Sequence, residues 1–190
     1  PVEFGSIITG QYGERLLEDL DDVIAVGNGT TQPEGITVKS GTTSISFGGS
    51  AATLGGYETL RFGVSKAEHK SAANSAVFCG SETSYMRAKA IPVGASDARR
   101  LSDTGNMPNY DDYRWMNSPY KINESLGNSK IFYAIMNKYR MYRRRGLSMR
   151  TTTEGSTLVR SNEMLMVAMA RYGGQLERGA VAAVTTNAQA

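Results

Sequence analysis

His69 and Cys79 are the single histidine and single cysteine of this 190-residue chain, so imidazole and thiolate chemistry have one candidate each. A Ser-His-Asp site needs a buried imidazole that a carboxylate orients. His69 lies between Glu68 and Lys70, a setting that predicts a solvated helical face. One histidine and one cysteine cannot assemble a zinc ligand set from a single chain. Cys79 follows Val77 and Phe78 and reads as a small buried apolar residue, without a partner for an internal disulfide. The acidic pairs Asp21-Asp22 and Asp111-Asp112 are adjacent in sequence, and neighbouring side chains diverge in both helices and strands. No catalytic residue, metal ligand or cofactor is expected.

The stretch Gly27-Asn28-Gly29-Thr30-Thr31-Gln32-Pro33-Glu34-Gly35 has the glycine content of a phosphate-binding loop. Such loops follow a strand and open a helix, so that amides and the positive dipole end meet the anion. Here a helical pattern precedes the glycines: Leu16, Leu17, Leu20, Val23 and Ile24 recur every three or four residues, with the acids mostly elsewhere. The loop therefore sits at the negative end. Neither the Walker nor the dinucleotide pattern is met, because Ile36 and Thr37 follow the last glycine and Gln32 stands where a third glycine is needed. Gly27, Gly29, Pro33 and Gly35 read as a structural turn, with Gly27 at the helix C-cap and Pro33 fixing its own φ.

The remaining candidate is "MNKYRMYRRRGLSMR", which carries Lys138, Arg140, Arg143, Arg144, Arg145 and Arg150 around Tyr139 and Tyr142 and contains no acid. Basic groups with interleaved aromatics can hold nucleic acid by counterion release and stacking. In a regular strand Tyr139, Met141, Arg143 and Arg145 would share one face and Arg140, Tyr142 and Arg144 the other. A charged strand packed by its aromatics is the competing reading. Arg143, Arg144 and Arg145 are the candidates for loose contact with a packaged polyanion.

These groups must be positioned by a mixed set of elements. Residues 36 to 53 alternate weakly and predict a short strand or two. Tyr57, Leu60, Val64 and Ala67 predict a helix, "AVFC" a buried strand, and Ser81 the cap of a further helix with Glu82 in its first turn. Residues 92 to 112 form a long polar segment without a clear period. From Pro119 the texture is β-like to the end of "GAVAAVTT". Helices first and strands later predict an α+β fold.

Composition agrees with one or two compact domains: 40% of residues are hydrophobic, and about 70% of the chain's surface can be buried at this size. No apolar run approaches the ~18 residues of a membrane span, and the start "PVEFGSIITG" lacks a signal-peptide pattern. It also lacks an initiator Met, which suggests processing or a piece of a longer chain. The net charge of +3 hides a polarity: residues 1 to 60 carry two basic residues and eight acids, and residues 61 to 190 carry nineteen and ten. Oppositely charged surfaces of this kind can meet within a molecule or between neighbouring copies.

The order of these parts resembles the major capsid proteins of tailed phages. The carriers are the acidic helix ending in "LDDVIAVGNGTTQPEGI", the mixed region with its polar segment, "SPYKINESLGNSKIFYAIMNKYRMYRRRGLSMR", and the closing "VRSNEMLMVAMARYGGQLERGAVAAV". The resemblance implies that residues 1–26 end a spine helix of the peripheral domain, 27–135 form mainly the axial domain, and 136–190 return as peripheral-domain strands. The family's N-terminal arm and extended loop, which precede the spine helix, have no counterpart in this sequence. Asn28 replaces the family's usual Asp, and Ala134, Ile135 and Met136 stand where it shows Gly-Asp and then an aromatic or Leu.

The implied function is a structural subunit, assembled in the host cytoplasm into hexamers and pentamers of a virion shell around dsDNA. The implied partners are further copies of the chain and portal, scaffold or decoration proteins, with no membrane. Encapsulin shells, which share the fold, and a nucleic-acid-binding module are the alternatives. The resemblance places the polar segment near a ring axis, where Asp97, Arg99, Arg100, Asp103, Asp111, Asp112 and Arg114 become candidates for contacts between copies. Covalent cross-linking, known in some members, is not expected: Glu163 neighbours Asn162 and should point to the opposite face, and Met164 to Ala170 are wholly apolar.

Overall fold

The structure is a computed structural model, and it describes residues 4–47, 53–65, 67–68, 76–94, 97–100, 114–115, 118–152 and 165–185. Helix α1 spans Phe4–Val26, about 35 Å at 1.5 Å per residue. It begins twelve residues before Leu16, the first residue of the apolar period read from the sequence. It is covered mainly at its C-terminal end, where Ala25 is buried; Leu17 is 65% exposed. The helix runs past the body that covers that end.

That body is a six-stranded mixed sheet in the order β1-β10-β7-β2-β6-β5. Its strands are β1 (Thr43–Ile45), β2 (Ala76–Gly80), β5 (Arg114–Trp115), β6 (Ser118–Ile122), β7 (Ile131–Ile135) and β10 (Ala182–Thr185). β1 and β10 pair in parallel, as do β2 and β6, while β7 joins β10 and β2 antiparallel. All five residues of β7, "IFYAI", are buried, the continuous apolar run expected of a central strand covered on both faces.

Two short helices cover one face. Helix α2 (Leu54–Phe62) starts at Thr53, whose hydroxyl accepts from the Gly56 amide, and helix α3 (Glu82–Lys89) starts at Ser81, which accepts from the Ser84 amide. Both caps satisfy amides that the first turn leaves without intrahelical partners. α2 ends at Phe62 and gives way to Gly63, so the predicted helix is interrupted before Ala67, which is again helical; Val64 in the break is still buried. Register aligns Phe78 of β2 with Tyr120 of β6 and Tyr133 of β7. Onto them pack Tyr57 of α2, 6.1 Å from Phe78 between ring centroids, and Tyr85 of α3, 4.9 Å from Tyr120.

The opposite face carries Val77, Cys79 and Phe132. With Ile24 and Ala25 at the end of α1 they line a cavity of about 400 Å³.

The polar segment is not the structureless loop its composition predicts at its start. β3 (Pro92–Gly94) and β4 (Asp97–Arg100) pair antiparallel. Strands of three and four residues are too short for a two-residue period to register.

The two longest strands stand apart from the sheet. β8 (Tyr139–Thr152) and β9 (Leu165–Leu176) form an antiparallel ribbon that reaches α1, where the Thr9 hydroxyl donates to Met149 Sδ at 3.4 Å. The predicted alternation of faces along β8 holds only as far as Arg143. Register shifts fall between Arg143 and Arg145 and again between Arg145 and Ser148, and each such irregularity breaks the two-residue period.

Candidate assembly surfaces

The turn after α1 is built from the helix's own orphan carbonyls. Gly27 N–H donates to Val23 O at 2.8 Å, Ile36 N–H to Ile24 O at 2.9 Å and Thr37 N–H to Ala25 O at 3.2 Å; Gly35 N–H closes on Gly27 O at 2.9 Å. The Thr37 hydroxyl adds a second bond to Ala25 O at 2.9 Å. The returning chain thus replaces the water that would otherwise solvate a helix end. It must come very close: a Cβ on Gly27 would strike Pro33 O, and one on Gly35 would strike Gly27 N.

Asn28 organises the excursion between them. Its Oδ1 accepts from the amides of Thr30, Thr31 and Gln32 at 2.9, 3.1 and 3.2 Å, and its Nδ2 donates to Thr31 Oγ1 at 2.9 Å. The amides that a phosphate would require are already used by this side chain. Gly29 holds φ +72°, a conformation favouring glycine.

The same turn locks onto the ribbon. Glu34 N–H donates to Gly174 O at 2.8 Å, and the Tyr139 hydroxyl donates to Glu34 O at 3.0 Å. Burial, with a smaller contribution from the Glu34 charge, pushes the Tyr139 phenol up to about 12. Lys39 closes an ion pair on Glu34 at 2.8 Å. Tyr139→Phe removes the hydroxyl and leaves Glu34 O without that donor. We expect a stability loss of about 1 kcal/mol, read as a lower urea midpoint with unchanged slope.

The ribbon's charges divide into two groups. At its base Glu177 receives Arg140 through Nε at 2.7 Å and Lys138 at 3.4 Å. The hydrogen bond from Arg140 is the main reason its carboxyl is held below the usual range. Farther along, Arg143, Arg144, Arg145, Arg150 and Arg171 are exposed, and among the described residues none of them forms an ion pair. Arg145 stands directly opposite Arg171 in the ladder. Sequence reasoning passed over Arg171, which is 26 residues from Arg145 in the chain and becomes its neighbour only through pairing.

The other predicted contact residues are scattered. Asp97, Arg99 and Arg100 lie on β4, and Arg114 lies on β5 at one end of the central sheet. Asp103, Asp111 and Asp112 fall outside the described residues, as do His69, Asn162 and Glu163. No group of three acid, histidine or cysteine ligands is arranged for a metal ion among the described residues. Burial and then the Asp21 charge push the Cys79 thiol up to about 12, far from a reactive thiolate. No described helix is long and apolar enough to cross a membrane.

A long helix turned sharply onto a β-ribbon, beside a separate mixed sheet, defines an α+β fold. The chain belongs to the phage capsid family, whose pattern matches residues 1–186. Among solved structures it is similar to the capsid of an empty GTA particle, with TM-score 0.76 and 14% identity over 98% of this chain and 67% of that one. Gordonia phage Cozz gives TM-score 0.69 and 15% identity over 98% and 64%. The holo-SrpI encapsulin complex from Synechococcus elongatus gives 0.62 and 12% over 95% and 64%. The chain therefore spans about two thirds of the length of these solved chains. A search of curated protein sequences found no match.

Proposed function

We propose that this chain is the structural subunit of an icosahedral phage capsid, self-assembling through hexameric and pentameric rings into a shell that encloses dsDNA. The observation that carries this is the family match over residues 1–186. In this reading α1 and the β8–β9 ribbon form the peripheral domain and the six-stranded sheet the axial domain, with β10 returning to that sheet. Assembly takes place in the host cytoplasm, the virion is the final location, and portal, scaffold or decoration proteins are further partners. Electron microscopy of the purified full-length coat protein should show closed shells or capsomers. A monomer that persists at high concentration would refute the assignment. An encapsulin-like compartment is separated by its contents, which would be a cargo protein in place of packaged DNA.

The hairpin carrying Asp97, Arg99 and Arg100, with Asp103, Asp111, Asp112 and Arg114, forms the ring contact in this reading. Identical loops about a symmetry axis repel unless each offers both signs, so that an acid on one copy meets a base on the next. Exposed pairs contribute only ~0.2–1 kcal/mol each, but closing a ring repeats the pair at every interface. The double variant Arg99→Glu/Arg100→Glu should keep the circular dichroism spectrum of the parent and lose most capsomer formation in sedimentation. Unimpaired capsomers would count against this placement.

A further inference from the structure

We propose that the unpaired arginines of the β8–β9 ribbon dock on the acidic stripe of helix α1 in a neighbouring copy. The ribbon strands carry Arg140, Arg143, Arg144, Arg145, Arg150 and Arg171 and no acid. Only Arg140 is neutralised among the described residues, by Glu177. Placing Arg145 directly opposite Arg171 sets like charges across a ladder, an arrangement that opposes pairing unless an anion lies over it. The register shift between Arg143 and Arg145 leaves Arg144 without a ladder partner next to that pair, and it interrupts the two-residue alternation that would set Arg144 on the face opposite Arg143 and Arg145.

The same chain carries the complementary surface. Helix α1 bears five acids against the single base Arg15. Glu14, Glu18, Asp21 and Asp22 fall within an arc of about 100° at 3.6 residues per turn, away from the apolar stripe of Leu16, Leu20 and Val23; Glu14 and Glu18 are exposed, whereas Asp21 borders the cavity at the helix end with Lys121. Arg15 engages Glu18 at 2.8 Å and Asp19 at 3.7 Å; Glu14, Asp21 and Asp22 have no ion pair among the described residues. Helix and ribbon touch at Thr9 and Met149, yet none of the described acids of α1 meets a described ribbon arginine within one copy. Two surfaces of opposite sign, largely without ion-pair partners among the described residues and repeated on every copy, are complementary between copies. A second copy is favoured over a nucleic acid because the matching acids are already present on the chain.

This inference rests on the shell-subunit reading, and the experiment separates the two. Assembly of full-length coat protein would be compared, by sedimentation and electron microscopy, for the wild type, Arg144→Glu/Arg145→Glu, Glu14→Arg/Glu18→Arg and the combined four-site variant. Circular dichroism would establish that each subunit folds, with Arg144→Gln/Arg145→Gln as the milder replacement if the reversal does not. We expect each charge reversal to cut shell yield at least tenfold and the combined variant to recover at least half of the wild-type yield. Failure of the wild type itself to assemble would overturn the shell reading and this inference together. Wild-type assembly combined with normal yields from either reversal, or with no recovery in the combined variant, would overturn the inference alone. Normal shells of Arg144→Glu/Arg145→Glu that package less DNA would assign the arginines to the nucleic acid and overturn it as well.

Discussion

Phe78→Ala should lower the unfolding free energy by about 3–5 kcal/mol, the cost of emptying an aromatic site in a core that cannot collapse around it. Phe78 is fully buried on β2, between β6 and β7. Its ring lies 4.5 Å from that of Tyr133, 6.1 Å from Tyr57 and 6.5 Å from Tyr120. Three separate elements, β7, α2 and β6, therefore lose a contact at once, and each is held by further bonds that prevent it from moving in. The ladder pairs Phe78 with Tyr133 and Tyr120, while the Tyr57 hydroxyl is tied to Ser84 O at 3.3 Å. At ~2–4 °C per kcal/mol for a chain of this size, the melting temperature should fall by roughly 6–20 °C in a calorimetric scan. A shift under about 2 °C would mean that the cluster repacks and that the sheet is not clamped as described. Phe78→Leu, which keeps most of the volume, should cost far less.

The second large effect is expected at the turn. Gly35→Ala places a methyl group against Gly27 N, 2.7 Å from Val26 C and 2.9 Å from Val26 Cα. These are backbone atoms of the helix end, so no side chain can swing aside. Relief requires the two passes of chain to separate, which stretches the bonds from Gly35, Ile36 and Thr37 to Gly27, Ile24 and Ala25. Three hydrogen bonds at about 1 kcal/mol each give a loss of about 2–4 kcal/mol. Gly13→Ala is the control: it lies in α1 with nothing within 4 Å of its added methyl, and should stabilise by ~0.5–1 kcal/mol through helix propensity. Urea unfolding of both variants checks the pair. A neutral Gly35→Ala would show that the helix end has room that the backbone geometry denies.

The turn also shows how much of this protein is written locally. Gly27 at the end of an apolar period and Ser81 ahead of Glu82 are signals that depend on a few neighbouring residues, and each marks a real boundary or cap; Pro119, read as opening the β-rich half, lies inside β6 with three short strands directly before it. Neighbours in sequence determine helix propensity, capping and strand period, because those terms act over at most about four residues. The acidic first third and the basic remainder are likewise properties of the chain alone.

Tertiary structure decided the rest. Nothing near Thr43 announces that it pairs with Ala183 in a parallel ladder, since that partner is chosen by which distant strand completes the sheet. Phe4 to Gly13, rich in glycine and β-branched residues, has weak helix propensity, yet α1 extends through it and Thr9 meets Met149 of the ribbon. The register shifts at Arg144 and beyond Arg145 arise from pairing with β9 and bring Arg171 against Arg145. A two-residue period assigns those arginines to opposite faces, because it presumes a regular ladder. Pairing between strands far apart in sequence carries long-range information that local periodicity does not contain. The sequence already gathers most of that charge between Lys138 and Arg150, and the ladder adds Arg171 to it.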